Sequence, residues 1–158
     1  MLVHKKILLY GYGNPGRQDD GLGDALVQLA SEWIRSEGVD GVDCDSNFQL
    51  QVEDAATIKE YDEVFFVDAS MDEQVDQFTV TPLIADGQTS FTMHSVSPGF
   101  ILFLCEKLFE ACPKAWLVQI RGYSWEMEQE LSPGARHNVL LAWQELQRLL
   151  RNPDERPE

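Results

Sequence analysis

No apolar run in the 158-residue chain approaches the roughly 18 residues that a membrane-spanning helix requires, so no segment is expected to cross a bilayer. The first apolar stretch, Ile7-Leu8-Leu9-Tyr10, is too short for the core of a signal peptide, and no small-residue cleavage site follows it. It reads instead as a buried strand, and a cytoplasmic location is expected. Cysteine is scarce. Cys44, Cys105 and Cys112 form no CxxC pair and have no zinc-site spacing, so in a reducing compartment they read as small buried apolar side chains. Basic residues are also few, 12 against 27 acidic ones, which leaves a formal charge of −15. Such a field repels phosphate backbones, and no local basic patch offsets it, so nucleic-acid binding is not expected. The acidity serves either solubility or a positively charged protein partner. Internal repeats and low-complexity stretches are absent, as are the GxSxG of a serine nucleophile elbow and the HExxH of a zinc protease.

What is present alternates. Ile7–Tyr10 is apolar throughout and ends in glycines, as a central strand covered on both faces would. Leu22, Leu26, Leu29, Ala30 and Trp33 recur at three- and four-residue spacing, which predicts an amphipathic helix from about residue 20 to 36, stopped by Gly38. A second strand is expected at Val42–Ser46 and a short helix at Val52–Lys59. Val64-Phe65-Phe66-Val67 is a third strand, again apolar, ending on Asp68. Phe78, Val80 and Pro82 alternate with threonines and read as a half-exposed strand near a sheet edge. Ser97-Pro98 and Ser132-Pro133 each pair an N-cap with proline at the first helical position. The first of these helices carries Phe100, Ile101, Leu104 and Leu108; the second carries Val139, Leu140, Trp143, Leu146 and Leu150. Trp116–Ile120 is a strand between them. This order implies one α/β domain over residues 1–151, built on a mostly parallel sheet covered on both faces, with residues 152–158 as a loose polar tail. Ligand sites in such folds lie beyond the carboxyl ends of the strands, where Asn14, Asp20 and Asp68 should fall.

Gly11-Tyr12-Gly13-Asn14-Pro15-Gly16 matches GxGxxG between a strand and a helix, the pattern of a dinucleotide site. Pro15 removes a backbone donor that a pyrophosphate would need, and Asp19 and Asp20 place negative charge where the helix start would meet the anion. Both features argue against a nucleotide. The same loop resembles the GLGNPG opening of peptidyl-tRNA hydrolases. Here, however, it runs into Arg17-Gln18-Asp19-Asp20-Gly21-Leu22-Gly23, and the Arg136-His137-Asn138 triplet falls late, inside the last helix.

A broader resemblance covers residues 7 to about 150. Gly13-Asn14 followed by Asp19-Asp20-Gly21-Leu22-Gly23 resembles the N-terminal signature of hydrogenase maturation proteases. Val67-Asp68-Ala69-Ser70 looks like that family's second acidic motif, and Phe91-Thr92-Met93-His94-Ser95-Val96-Ser97-Pro98 like its histidine motif. Phe48-Gln49-Leu50-Gln51-Val52-Glu53-Asp54 and Ile120-Arg121-Gly122-Tyr123 with Leu131-Ser132-Pro133 fit a subgroup of it, all in the right order. The resemblance implies a three-layer αβα sandwich with about five strands, of phosphorylase/hydrolase-like type. It also implies an endopeptidase that removes the C-terminal extension of a nickel-loaded hydrogenase large-subunit precursor. By that resemblance Asp20, Asp68 and His94 would meet a metal, and Asp20 and Asp68 would carry the catalysis. The nickel would come with the precursor, so no tightly bound cofactor of the chain's own is expected, and the chain is expected to be a monomer. The family's first ligand is often glutamate, and Asp19 precedes Asp20, so a swap between these two stays open.

The residue types suit that chemistry independently. Asp20 lies near a helix start, which favours an ionised carboxylate. Asp68 ends a buried strand and needs a cation or donors to compensate desolvation. Neutral imidazole, as at His94, is a common metal ligand. Taken singly, each also has a structural role open to it: a first-turn acid, an acceptor for backbone amides, and a satisfied loop histidine. A non-catalytic, metal-dependent chaperone or binding module for a hydrogenase subunit is the competing reading.

Overall fold

Four consecutive apolar residues in one strand require cover on both sides, and the fold supplies it. The structure, a computed structural model, describes residues 5–88 and 96–158. Strand β1 (Ile7–Tyr12) lies inside a five-stranded sheet, with a hydrogen-bonded strand on either side. Ile7 and Leu9 face one layer, while Leu8 and Tyr10 face the other. Around it come α1 (Leu22–Glu37), β2 (Val42–Asn47), α2 (Asp54–Ile58), β3 (Glu63–Ser70), β4 (Phe78–Leu83), α3 (Pro98–Phe109), β5 (Lys114–Arg121) and α4 (Pro133–Arg151). The sheet order is β2-β1-β3-β5-β4, parallel except for β4, which runs antiparallel to β5 at an edge.

Period two divides β3 in the same way. Phe65 and Val67 join Leu22, Leu26 and Ala30 of α1 and Val139, Trp143 and Leu146 of α4; Val64 and Phe66 join Ile58 of α2 and Ile101, Leu102 and Cys105 of α3. The three-layer αβα arrangement is therefore the one the alternation of strands and helices implied. Ser97 Oγ accepts from Phe100 N at 3.1 Å and Ser132 Oγ from Ala135 N at 3.3 Å, so both Ser-Pro pairs start helices as expected. No helix among the described residues is long and apolar enough to cross a membrane.

Three expectations need correction. Leu108 and Leu140 are exposed, at 64% and 48%, because the buried stripe of α3 runs through Ile101, Leu102 and Cys105 and that of α4 through Val139, Ala142, Trp143 and Leu146. Cys105 is the buried cysteine; Cys44 is half-buried and Cys112 exposed. The segment 152–158 is not a loose tail. After a short 3-10 turn at Pro153–Glu155, Arg156 is buried at 8% exposure and faces Glu63, with Nε 3.2 Å from Oε2. Its guanidinium lies 5.8 Å from the ring centres of both Phe65 and Trp116, and Trp116 Nε1 donates to Pro157 O at 2.9 Å. A charge pattern that looks solvated in sequence is drawn in because Glu63 begins a buried strand and needs a cation.

Without Arg156, buried Glu63 keeps only the exposed Lys5 ammonium, 3.6 Å from Oε1, as its cation. Arg156→Ala should therefore cost about 3 kcal/mol, and the double replacement Glu63→Leu with Arg156→Leu clearly less, as urea unfolding of both would show.

Candidate active site

Helix α1 reaches the sheet by backbone contact. A methyl group on Gly11 would run into the Gly23 carbonyl, and one on Gly23 would lie 2.6 Å from Val67 O and 2.9 Å from Tyr12 N. Side chains other than hydrogen would push α1 off β1 and β3. Gly13 has φ +132°, and a Cβ there would strike the Asp20 carbonyl. The glycine loop thus serves close packing, and its amides are spent locally. Gly13 N donates to Asn47 O at 3.0 Å, Asn14 N to Asp20 Oδ2 at 2.8 Å, and Gly16 N to Asn14 Oδ1 at 2.8 Å. A loop with its donors occupied and a proline in the middle does not cradle a phosphate. Asn14 fixes the loop's own backbone.

Two adjacent acids have opposite fates. Asp19 is fully buried, and its carboxylate accepts from Tyr123 N (2.7 Å), Ser124 N (2.9 Å), Ser132 N (2.8 Å) and Ser132 Oγ (2.6 Å). Burial alone would raise its pKa, but the Ser132 hydroxyl and these three amides outweigh it and hold the carboxyl below its ordinary range. Asp19 is thereby consumed in binding the β5–α4 loop to the turn Gln18–Gly21. Asp20, the next residue in that 3-10 turn, points the other way and lines a cleft with Asp68. Asp20 does not start α1 itself, since the helix begins at Leu22; its partner is the Asn14 amide.

Asp68 follows Phe66 by two residues on β3, so it projects from the α2–α3 side of the sheet. Tyr12 stands on the same side of neighbouring β1, and its hydroxyl donates to the Asp68 carboxylate. Desolvation is the main reason that the Asp68 pKa rises to about 7; the Asp20 charge adds to the rise, while Tyr12 and the Ala69 amide oppose it. The Tyr12 phenol is pushed well above its ordinary value, again chiefly by burial and then by the Asp68 charge, so it stays a donor. The remaining walls of the cleft, which encloses about 380 Å³, come from Phe48, Gln49 and Leu50 after β2 and from Val96, Ser97 and Pro98 at the start of α3.

The structure therefore places Asp20 and Asp68 on one cleft at the carboxyl ends of the strands. His94, the third residue expected to meet a metal, lies outside the described residues. Among the described residues no group of three or more His, Cys, Asp or Glu side chains could hold a metal. His137 is exposed on α4, and its neighbour Asn138 is buried, with Nδ2 donating to Arg121 O (3.0 Å) and Tyr123 Oη (2.9 Å). Sequence reasoning missed Tyr12, although its two-residue spacing from Tyr10 on a strand was a usable signal. It also missed the anchoring role of Asp19, for which a single sequence holds no signal, because the amides it binds are more than a hundred positions away.

The two acids should show opposite pH signatures in stability. Asp19, with its pKa lowered on folding, contributes stability above its unfolded value that is lost as pH falls through the folded one. Asp19→Ala should cost about 2–4 kcal/mol at neutral pH and progressively less in acid. Asp68, raised on folding to about 7, is the reverse. At roughly 1.4 kcal/mol per pKa unit, keeping it protonated in the fold while the unfolded chain ionises costs a few kcal/mol as pH climbs from about 4 to about 7. Asp68→Asn should then match wild type below about pH 4, gain between pH 4 and 7, and stay more stable above it. Thermal melts of both variants across that range would check the signs.

No known protein-family model matches the chain, and a search of curated sequences found no match either. Solved structures do match. The NiFe hydrogenase maturation protease HycI from Thermococcus kodakarensis KOD1 superimposes with a TM-score of 0.73 over 94% of each chain at 16% identity. The hydrogenase maturating endopeptidase HybD from E. coli gives 0.72 over 94% of each chain at 18% identity. A hydrogenase 2 maturation peptidase from Thaumarchaeota archaeon SCGC_AB-539-E09 gives 0.66 at 19% identity, over 92% of this chain and 98% of that one. The chain has the fold of the hydrogenase maturation proteases over nearly its whole length.

Proposed function

We propose that the chain belongs to the hydrogenase maturation proteases and is an endopeptidase that removes the C-terminal extension of a nickel-loaded hydrogenase large-subunit precursor. The observation that carries this reading is the pairing of Asp20 and Asp68 in one cleft, with Asp68 desolvated enough for its pKa to reach about 7. Two carboxylates on one cleft, one of them largely desolvated without a cation, form a site that an incoming positive ion would stabilise. We take that ion to be the nickel already bound in the precursor, a reading that the shared fold and the ordered sequence motifs support. Asp20, Asp68 and His94 would add hard oxygen and nitrogen ligands to it, which fits brief recognition of a metal held elsewhere by softer thiolates.

A carboxylate titrating near neutrality can accept a proton from water, so Asp68 is also suited to activate the water that attacks the scissile peptide. Asp20, whose carboxylate accepts from the Asn14 amide, would orient the metal's environment. The loops that follow β3 and β5, at the end of the sheet where the cleft lies, are acidic. Asp72, Glu73, Asp76, Glu126, Glu128 and Glu130 are exposed, whereas Arg17 and Arg121 are engaged with backbone carbonyls. This end of the molecule suits a positively charged precursor surface and no nucleic acid.

The test is cleavage of a nickel-loaded large-subunit precursor by purified protein, followed by the size of the product. Wild type should remove the extension. Asp20→Asn, Asp68→Asn and His94→Ala should each lose about a hundredfold or more in rate, in the range of lost acid–base or metal-assisted catalysis. A precursor without nickel should stay intact. A binding module would bind the precursor and leave it uncut even as wild type, and that result would end the endopeptidase reading.

A further inference from the structure

Beside the Asp20/Asp68 cleft lies a second cavity of about 510 Å³, and nothing in the reaction outlined above uses it. The two cavities share Gly13, Phe48 and Gln49, so they form one groove across the carboxyl edge of β1 and β2. Their common wall is the segment after β2. Phe48 is 70% exposed there, and the side-chain amides of Gln49 and Gln51 are exposed and make no hydrogen bond among the described residues. A primary amide carries a donor and an acceptor, the complement of a main-chain peptide group, and an exposed ring adds apolar contact that tolerates many side chains.

That wall is held from beneath. Tyr10, fully buried on β1, donates its hydroxyl to Asp54 Oδ1 at 2.9 Å. The same hydroxyl accepts from Asn47 Nδ2 at 2.8 Å, and Asp54 Oδ2 accepts from Gln51 N at 2.8 Å. One buried phenol–carboxylate pair therefore clamps both ends of the stretch that presents Phe48 and Gln49. Burial, followed by the nearby Asp54 and Asp45 charges, raises the Tyr10 pKa, so the phenol remains a donor throughout the physiological range. Loops with no such clamp lose ordering entropy on binding, and a loop already fixed does not.

We infer that this second cavity is a binding subsite for an extended peptide segment of the substrate, with Phe48, Gln49 and Gln51 as contact residues and the buried Tyr10–Asp54 pair as the positioning unit that preforms it. The inference rests on the endopeptidase reading and names where, beyond the reacting centre, the substrate chain is held. A subsite of this kind sets how tightly substrate binds and leaves the reacting groups untouched, so its loss appears in KM and spares kcat.

The experiment is steady-state cleavage of a nickel-loaded precursor by wild type, Tyr10→Phe, Gln51→Ala and Tyr61→Phe. Tyr10→Phe keeps the ring and removes the clamp. Gln51 lines the second cavity and not the Asp20/Asp68 cleft, and Gln51→Ala alters only its exposed side chain, so the test stands even if the buried variant folds poorly. Tyr61 supplies the control, since its hydroxyl donates to Asp43 Oδ2 at 2.8 Å near the start of β2. Loss of one such hydrogen bond should raise KM roughly three- to tenfold in Tyr10→Phe and Gln51→Ala, with kcat within about twofold of wild type. Tyr61→Phe should match wild type in both. Unchanged KM in Gln51→Ala, or an equal shift in Tyr61→Phe, overturns the subsite while leaving the endopeptidase reading intact. Failure of wild type to cut any precursor overturns the reading itself.

Discussion

The first turn of α1 lies against β1 and β3 at backbone distance, and the geometry of the cleft depends on that contact. Gly11 and Gly23 allow it, since a Cβ on either would meet a carbonyl of the facing element. Because α1 approaches so closely, the turn Gln18–Gly21 is drawn over the end of the sheet and its two acids are forced to opposite sides. Asp19 goes inward to a fully bonded pocket and Asp20 goes to the cleft. The anchored residue holds the free one in place: four hydrogen bonds on Asp19 leave the turn little freedom, so Asp20 arrives beside Asp68 without needing a network of its own.

Charge is the second constraint. A chain with 27 acids and 12 bases must decide which carboxylates to bury and with what compensation. Three buried acids receive three different answers. Asp19 has backbone amides and a serine hydroxyl, Glu63 has the Arg156 guanidinium, and Asp54 has the Tyr10 hydroxyl and the Gln51 amide. Asp68 is the exception. A tyrosine hydroxyl and one amide do not offset its desolvation, and its pKa stays near neutrality. Proteins keep such an uncompensated group where a substrate, a proton or a metal completes it.

Much of this was legible in the chain, for reasons that are local. Apolar runs at Ile7–Tyr10 and Val64–Val67 mark strands covered on both sides, because no solvent-facing strand tolerates four apolar residues in a row. The Ser-Pro pairs at 97 and 132 begin helices because the hydroxyl caps an amide where proline needs none. Asp68 could be placed at a strand end by counting. Where reading by pattern went astray, a distant partner was responsible. Leu108 fits the spacing of a buried stripe and is exposed, because the face of α3 that packs on the sheet runs through Ile101, Leu102, Cys105 and Phe109 and leaves Leu108 to one side. The segment at 152–158 has the composition of a solvated tail and is drawn inward by Glu63 and the faces of Phe65 and Trp116, which lie between 40 and 93 positions before Arg156.

By itself the sequence determined the number and order of strands and helices, their caps, and the position of two acids at the exit of a parallel sheet. Each of these follows from residues a few positions apart, through side-chain periodicity and local hydrogen bonding. Only the tertiary structure decided which of Asp19 and Asp20 reaches the cleft, that Tyr12 stands against Asp68, and that Tyr10 and Asp54 carry the wall beside it. Those outcomes depend on amides, hydroxyls and carbonyls brought from remote parts of the chain, and the cost of leaving a buried polar group unpaired is settled only where the folded backbone delivers its partner.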